Sequence, residues 1–275
     1  MSTFWQRFLG NPRVLLGLAW LALVLVIAVF APLLAPNDPF EIVTDPFLRP
    51  FGEYLFGTDS LGRSMWAGLA HGARTTLIIA SVATLASVAF GTVLGALAGF
   101  FGGLIDDVLM RLTEFFQTIP SFIFAIVLVA ILAPSATSLI IAIAVVSWPP
   151  IARVVRGEVL SVKSREFVQA AVLAGQADLA ILFKQVLPNT LSPLIVTGSL
   201  LVATAILIES ALSFLGLGAP NLMSWGFMVG AGRSFLRDAW WLVTIPGIAI
   251  LLTVLSINLV GEGLNDALNP RLADL

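Results

Sequence analysis

At 275 residues, 59% of them hydrophobic and only 11% charged, this chain is too apolar for a soluble fold, in which about a quarter of residues are charged. Its mean hydropathy of +1.02 makes lipid the solvent for most of it, and a formal net charge of −2 leaves no basic footprint for nucleic acid. With no cysteine and a single histidine, His71, disulfide frameworks, thiolate chemistry and His-cluster metal sites are excluded.

A spanning helix needs about 20 mostly apolar residues, and the sequence contains six such runs. A short tail, 1–13, precedes one transmembrane domain over 14–275. The first run, 14–35, is longer than a signal-peptide core and lacks a small-residue cleavage site after it, so it is expected as a retained span. A polar segment, 36–74, holds Gly57, Thr58, Asp59, Gly62 and Arg63. Asp59 between two glycines either orders its own turn or meets an external partner. His71 reads as a surface residue.

The second span, 75–100, carries Gly91, Gly95 and Gly99 at four-residue intervals, a ridge that permits close helix packing in lipid; a pivot is the alternative role. The third span is expected at 115–133, preceded by Arg111 and Glu114, which at a separation of three are expected to pair. The fourth, 135–151, ends in Trp148-Pro149-Pro150. The fifth, 191–210, bears Glu209 near its far end. A carboxylate at span depth costs a few kcal/mol, so Glu209 is either hydrated or paired at the interface, or a path or gate contact. A Gly- and Pro-rich segment then leads to the sixth span, 240–260.

Basic residues flanking the spans set orientation. With the N-terminus inside, Arg49, Arg63, Arg74, Arg233 and Arg237 lie outside, and the other nine of the 14 Lys and Arg residues lie inside. An N-in, C-in topology is expected, with the 152–189 loop in the cytoplasm.

That loop contains REFVQAAVLAGQADLAILFKQVLPN. A helix is expected from about 166 to 186, interrupted at Gly175 and stopped by Pro188. Ala170, Ala171, Ala174 and Gly175 are spaced to share a small-residue face, with Glu166, Gln169 and Asp178 as polar neighbours. Such a helix either docks into a groove on a soluble partner or lies on the lipid surface. The chain's two lysines, Lys163 and Lys184, lack the glycines of a phosphate-cradling loop. Nucleotide chemistry would have to come from another subunit.

The 165–189 segment resembles the "EAA" loop of permease subunits in bacterial binding-protein-dependent ABC importers: Gln169-Ala170-Ala171, then Gly175, then Leu187-Pro188, all at the family spacing. Gln169 stands where the pattern has Glu, and Gln185 where it has an aliphatic residue. FGTDSLGRS, Gly102-Gly103 with Asp106, ESALSFLGLGAP, and Asn258 to Gly263 with Asn269-Pro270-Arg271 are similar to further signatures of the dipeptide, oligopeptide and nickel permeases, C-type partner of the pair. The resemblance implies an all-α, six-span, type I importer permease of the bacterial inner membrane. It implies that Glu166, Gln169, Ala170, Ala171, Gly175, Asp178, Leu187 and Pro188 form the coupling segment. It implies partners: a second permease, two ATP-binding subunits that hold the ATP and Mg, and an external binding protein. No cofactor or metal is expected in this chain. The implied cargo is a di- or oligopeptide, with nickel or a metal chelate as the alternative. Two rival classes carry less support. An intramembrane serine protease needs a base, and His71 lies outside the core. An ion-coupled transporter calls for ionisable groups in several spans, and Glu209 is the main candidate.

Overall fold

In lipid every backbone N–H and C=O must be satisfied within the chain, so the apolar runs fold as helices. The computed structural model describes residues 2–268. In chain order the helices are α1 Ser2–Gly10, α2 Pro12–Val29, α3 Ala31–Leu34, α4 Met65–Phe101, α5 Gly103–Thr118, α6 Ser121–Leu132, α7 Ala136–Lys163, α8 Glu166–Leu173, α9 Asp178–Ile181, α10 Leu187–Phe214, α11 Trp225–Gly232 and α12 Trp241–Leu268. The distribution of basic residues gives the bundle an inner end and an outer end. The motif residues Asn269, Pro270 and Arg271 lie outside the described residues.

Most of the tail is helical. It holds α1, and Asn11 then caps α2 by accepting the Arg13 N–H at 3.0 Å. Helix α4 begins ten residues before the expected span, because Ser64 caps it, accepting the Ala67 N–H at 3.4 Å. Its 37 residues make a rod about 55 Å long, so the outer loop ends at residue 64, not 74.

The third span differs most from expectation. Here α5 and α6 meet at an 86° bend. The cause is Pro120: the residue before a proline avoids helical angles, and Ile119 is extended at φ −87, ψ 127. Helix α6 has 12 residues, about 18 Å, against a hydrocarbon core of about 30 Å. Five helices are therefore long and apolar enough to cross, and six crossings result only when the bent pair is taken as one. The expected Arg111–Glu114 pair does not form. Among the described residues the one ion pair joins Arg156 of α7 to Asp106 of α5, with the Nε to Oδ1 distance at 2.5 Å and Nη2 to Oδ2 at 2.6 Å.

Helix α7 runs through Pro149 and Pro150 to Lys163, twelve residues past the expected end at Ile151. The prolines remove hydrogen bonds, but Trp148, Ile151, Ala152, Val155, Val159 and Val162 form a continuous buried face that holds the helix together. That face meets the glycine ridge of α4. A Cβ at Gly91 would sit 2.7 Å from both Ile151 Cβ and the Trp148 carbonyl oxygen, and one at Gly99 would sit 2.8 Å from the Arg156 carbonyl oxygen. At Gly95 it would strike the carbonyl oxygen of Ala152. Small residues here set the α4–α7 separation.

Three larger buried clusters lie along the bundle, and a small fourth joins Ala31 and Ala35 to Ala67 and Ala70. The middle one joins Ile79 and Ala83 of α4, Leu139 and Ile143 of α7, and Ile206 and Leu212 of α10. The inner one joins Val155, Val159 and Val162 of α7 to Val168, Ala171, Ile181, Leu182 and Val186. The outer one joins Met65 and Leu69 to Met223, Trp225, Trp241 and Leu242. The first span is stitched to the last: the Trp20 indole N–H donates to Thr253 Oγ1 at 3.1 Å.

Candidate coupling segment and outer carboxylate

The inner segment is built from the end of α7. Gln169 reaches back so that its side-chain N–H donates to the Ser164 carbonyl at 3.2 Å. A carboxylate at this position has no proton to donate, so glutamine makes a bond that the glutamate of the family pattern would not. In α8, Val168 and Ala171 turn into the inner core, while Phe167, Ala170, Val172, Leu173 and Ala174 face outward, with Leu173 at 88% exposure. The expected small-residue face is thus split. Ala171 is spent on the protein's own core, and Ala170, Ala174 and Gly175 remain on the free side.

Gly175 ends α8. The Gly175 N–H donates to the Val172 carbonyl at 2.9 Å and the Gln176 N–H to the Ala171 carbonyl at 3.2 Å. These are the two bonds of a Schellman cap. The cap needs a positive φ, which is +71 at Gly175. Nothing lies within 4 Å of where a Cβ would go. Beyond it, Asp178 opens α9, and a π-turn, Leu182–Val186, leads directly into α10.

Pro188 therefore does not stop the helix, as the sequence suggested; it sits in the first turn of α10. Proline lacks an N–H and crowds the carbonyl four residues back. Widening the preceding turn to i→i+5 bonding relieves that crowding, and the Leu187 N–H donates to the Leu182 carbonyl. The Asn189 side chain donates to the Gln185 carbonyl at 2.7 Å. A groove of about 500 Å³ opens between Phe100 and Phe101 at the end of α4 and Val172 and Leu173 of α8, with Lys163, Gln169 and Asp178 at its margin. Lys163 is held there by the Phe100 carbonyl. Glu166 stands exposed in the first turn of α8, and Leu187 is half-buried.

At the outer end, the loop around Thr58 orders itself. The buried Thr58 hydroxyl donates to the Asp45 carbonyl at 2.8 Å and accepts the Leu48 N–H at 2.9 Å. Asp59 Oδ1 accepts the N–H groups of Leu61 and Arg63, both at 2.8 Å. Gly57 and Gly62 have φ of +76 and +79, and a side chain at either would hit the carbonyl of Leu48 or Thr44. The Trp241 indole donates to the Thr58 carbonyl at 3.1 Å, pinning this loop to α12. His71 is not a free surface residue: its Nε2 donates to the Ala35 carbonyl at 3.0 Å, tying α4 to the end of α3.

Glu209 is fully enclosed on α10. It has no exposure at a membrane surface and no ion-pair partner among the described residues, so the expected interfacial placement is corrected. Ser213 Oγ donates to its Oε1 at 2.7 Å, and Ser210 and Thr76 hydroxyls approach Oε2 at 3.4 and 3.5 Å. Thr76 in turn accepts the Trp225 N–H at 3.2 Å. One carboxyl thus joins α10, α4 and the start of α11. Glu209→Gln keeps a carbonyl acceptor for Ser213, and its membrane level is expected within about twofold of the parent. Glu209→Leu strands hydroxyls in the core, costing about 1–3 kcal/mol. The melting temperature of the detergent-extracted protein should fall clearly for Leu and little for Gln. Equal losses for both would mean that the charge, not the bonding, is what the position requires.

Sequence reading missed the Arg156–Asp106 bridge, because its partners are fifty positions apart, and missed Thr76 and Trp225 beside Glu209 for the same reason. The Schellman cap carried a readable sign, a glycine closing a helical run.

The free face of α8, carried beneath a helical bundle, can be set beside known proteins. The family described as "Binding-protein-dependent transport system inner membrane component" matches residues 91–274. A second, described as "N-terminal TM domain of oligopeptide transport permease C", matches residues 1–50. This chain belongs to the binding-protein-dependent permease family. Among permeases, the "Di/tripeptide transport system permease protein DppC" of Pseudomonas aeruginosa (strain UCBPP-PA14) is 42% identical over 280 residues, covering 99% of this chain and 92% of that protein. The "Dipeptide transport system permease protein DppC" of Haemophilus influenzae is 39% identical, covering 99% and 95%; its counterpart in Escherichia coli (strain K12) is 41% identical, covering 99% and 93%. A chain of the inward-facing MetNI methionine ABC transporter aligns with a TM-score of 0.62 at 18% identity, covering 74% of this chain and 98% of that one. The permease therefore has the type I importer fold and is a multi-pass inner-membrane protein. These relatives give no support to the nickel alternative.

Proposed function

We propose that this permease is one of two non-identical membrane subunits of an ATP-driven importer, and that its cargo is a di- or oligopeptide handed over by an external binding protein. The observation that carries the reading is the unpartnered face of α8, with Phe167, Val172 and Leu173 exposed beside a groove, on a chain lacking a nucleotide-binding loop. Large apolar side chains left in water mark a protein contact. The peptide cargo rests on the roughly 40% identity to peptide permeases along the whole chain. In this reading both termini are cytoplasmic, and two ATPase subunits grip the inner segments. The 45–63 loop faces the binding protein. Nucleotide binding favours one of two arrangements of the bundle, which moves the opening from one side to the other. This subunit itself performs no chemistry.

The test has two parts. The tagged chain, extracted in mild detergent, should bring down a second permease and nucleotide-binding subunits, identified by mass spectrometry. Cells lacking the gene should lose uptake of labelled dialanine, and uptake should fail on ATP depletion. A chain that emerges alone, with uptake sensitive to an uncoupler only, would establish an ion-coupled transporter instead.

A further inference from the structure

A cavity of about 400 Å³ opens at the outer end, where α4, the start of α7, the loop after α3 and the 221–223 turn meet. This is the size class of small-ligand sites. Its floor is apolar, from Ile78 and Met223, and its polar groups are Asp38, Arg74, His71, Asn221 and Thr75, whose hydroxyl donates to the His71 carbonyl at 3.3 Å.

The charges there have no protein complement. Arg74 lies in the third turn of α4, a spanning helix, and its exposed guanidinium has no acceptor among the described residues. Arg74 borders this cavity, and ionisable groups that face such a cavity rather than lipid mark solute pathways. Asp38 is held in place by one oxygen, since Oδ1 accepts the Phe40 N–H at 2.8 Å. Its other oxygen has no donor among the described residues. The two groups border one cavity and do not pair with each other. His71, also on α4, lines the cavity with its Nε2 committed to the Ala35 carbonyl.

A concave surface with one unpaired anion, one unpaired guanidinium and an apolar floor is complementary to a ligand carrying an ammonium at one end and a carboxylate at the other. The guanidinium fork binds a carboxylate through two parallel hydrogen bonds. An apolar floor accepts varied side chains, and Asn221 offers both a donor and an acceptor to a peptide bond. We infer that this outer cavity is a receiving site for a zwitterionic short peptide, its ammonium end at Asp38 and its carboxylate end at Arg74. The inference rests on the peptide reading above and adds a recognition step within the membrane subunit.

The assembled transporter, in lipid nanodiscs and without binding protein, is titrated with dialanine and with N-acetyl-dialanine amide, following ligand-observed saturation-transfer NMR. Dialanine is expected to bind and the doubly capped peptide to bind at least tenfold more weakly. Arg74→Gln and Asp38→Asn should each weaken dialanine at least tenfold, while Arg74→Lys retains part of the affinity and shows that the site is folded. Equal binding of capped and uncapped peptide overturns the inference, as does dialanine affinity within twofold of the parent in both neutral variants. If either occurs while cells still require this chain for dialanine uptake, the receiving site fails and the importer reading stands. Loss of that uptake requirement removes both.

Discussion

Gly175→Asp is expected to leave the permease in the membrane at close to its normal level and to reduce ATPase copurification at least tenfold. The first half follows from the chain's own geometry: no atom lies within 4 Å of the new Cβ. Aspartate also tolerates left-handed backbone better than most residues, so the φ of +71 at the Schellman cap strains it less than it would other side chains. The second half follows from where the residue sits, next to Ala170 and Ala174 on the free side of α8. A carboxylate pressed into a partner's groove without a counter-charge costs several kcal/mol, and each 1.4 kcal/mol is tenfold in affinity. Gly175→Asn separates strain from charge: it keeps the backbone preference and size, and is expected near the parent. Nucleotide-binding subunits retained equally by Gly175→Asp and the parent would sink the docking role of α8.

Gly95→Leu should act on the fold itself. Its Cβ would strike the Ala152 carbonyl oxygen and lie 2.9 Å from Val155 Cβ. The obstruction is backbone, so no rotamer change relieves it, and α4 must move away from α7. Overpacking of this kind costs about 1–3 kcal/mol even where side chains can adjust. Separation here would also open the contacts at Gly91 and Gly99. Most of the variant is expected to be lost from the monodisperse peak in size-exclusion chromatography of the detergent extract. Gly157→Leu is the control. Gly157 lies on α7 with nothing within 4 Å of a Cβ, and the variant should elute as the parent does. If both variants elute normally, the glycine ridge does not set the helix spacing.

Helix existence was legible because lipid leaves backbone groups no partner but their own helix. The apolar runs therefore fold as helices, and of the six expected spans only the one at 115–133 is broken. Helix ends were not legible in the same way. Where apolarity ran out, α4 and α7 continued, because Ser64 caps one and the inner core holds the other through Val155, Val159 and Val162. Pro120 and Pro188 look alike in sequence. The first breaks a span by 86°, and the second is absorbed by the π-turn before it. Neighbouring packing, which residue identity does not report, separates the two outcomes.

Within the candidate site, residue types and their spacing were readable from local order: a polar, alanine-dotted segment closed by Gly175, a loop between Gly57 and Gly62, a carboxylate within a span, and no phosphate-binding loop. These are local features, set by neighbours a few positions away. Packing of the helices settles which side of α8 is free, since Ala171 is taken by the inner core and Ala170 is not. It alone enclosed Glu209 among Ser210, Ser213 and Thr76. It also joined Asp106 to Arg156 and set Asp38 and Arg74 around one cavity. Thr76 with Glu209, Asp106 with Arg156, and Asp38 with Arg74 are groups far apart in sequence. A one-dimensional pattern carries periodicity and local bonding; which distant side chains share a surface is fixed only when the helices pack.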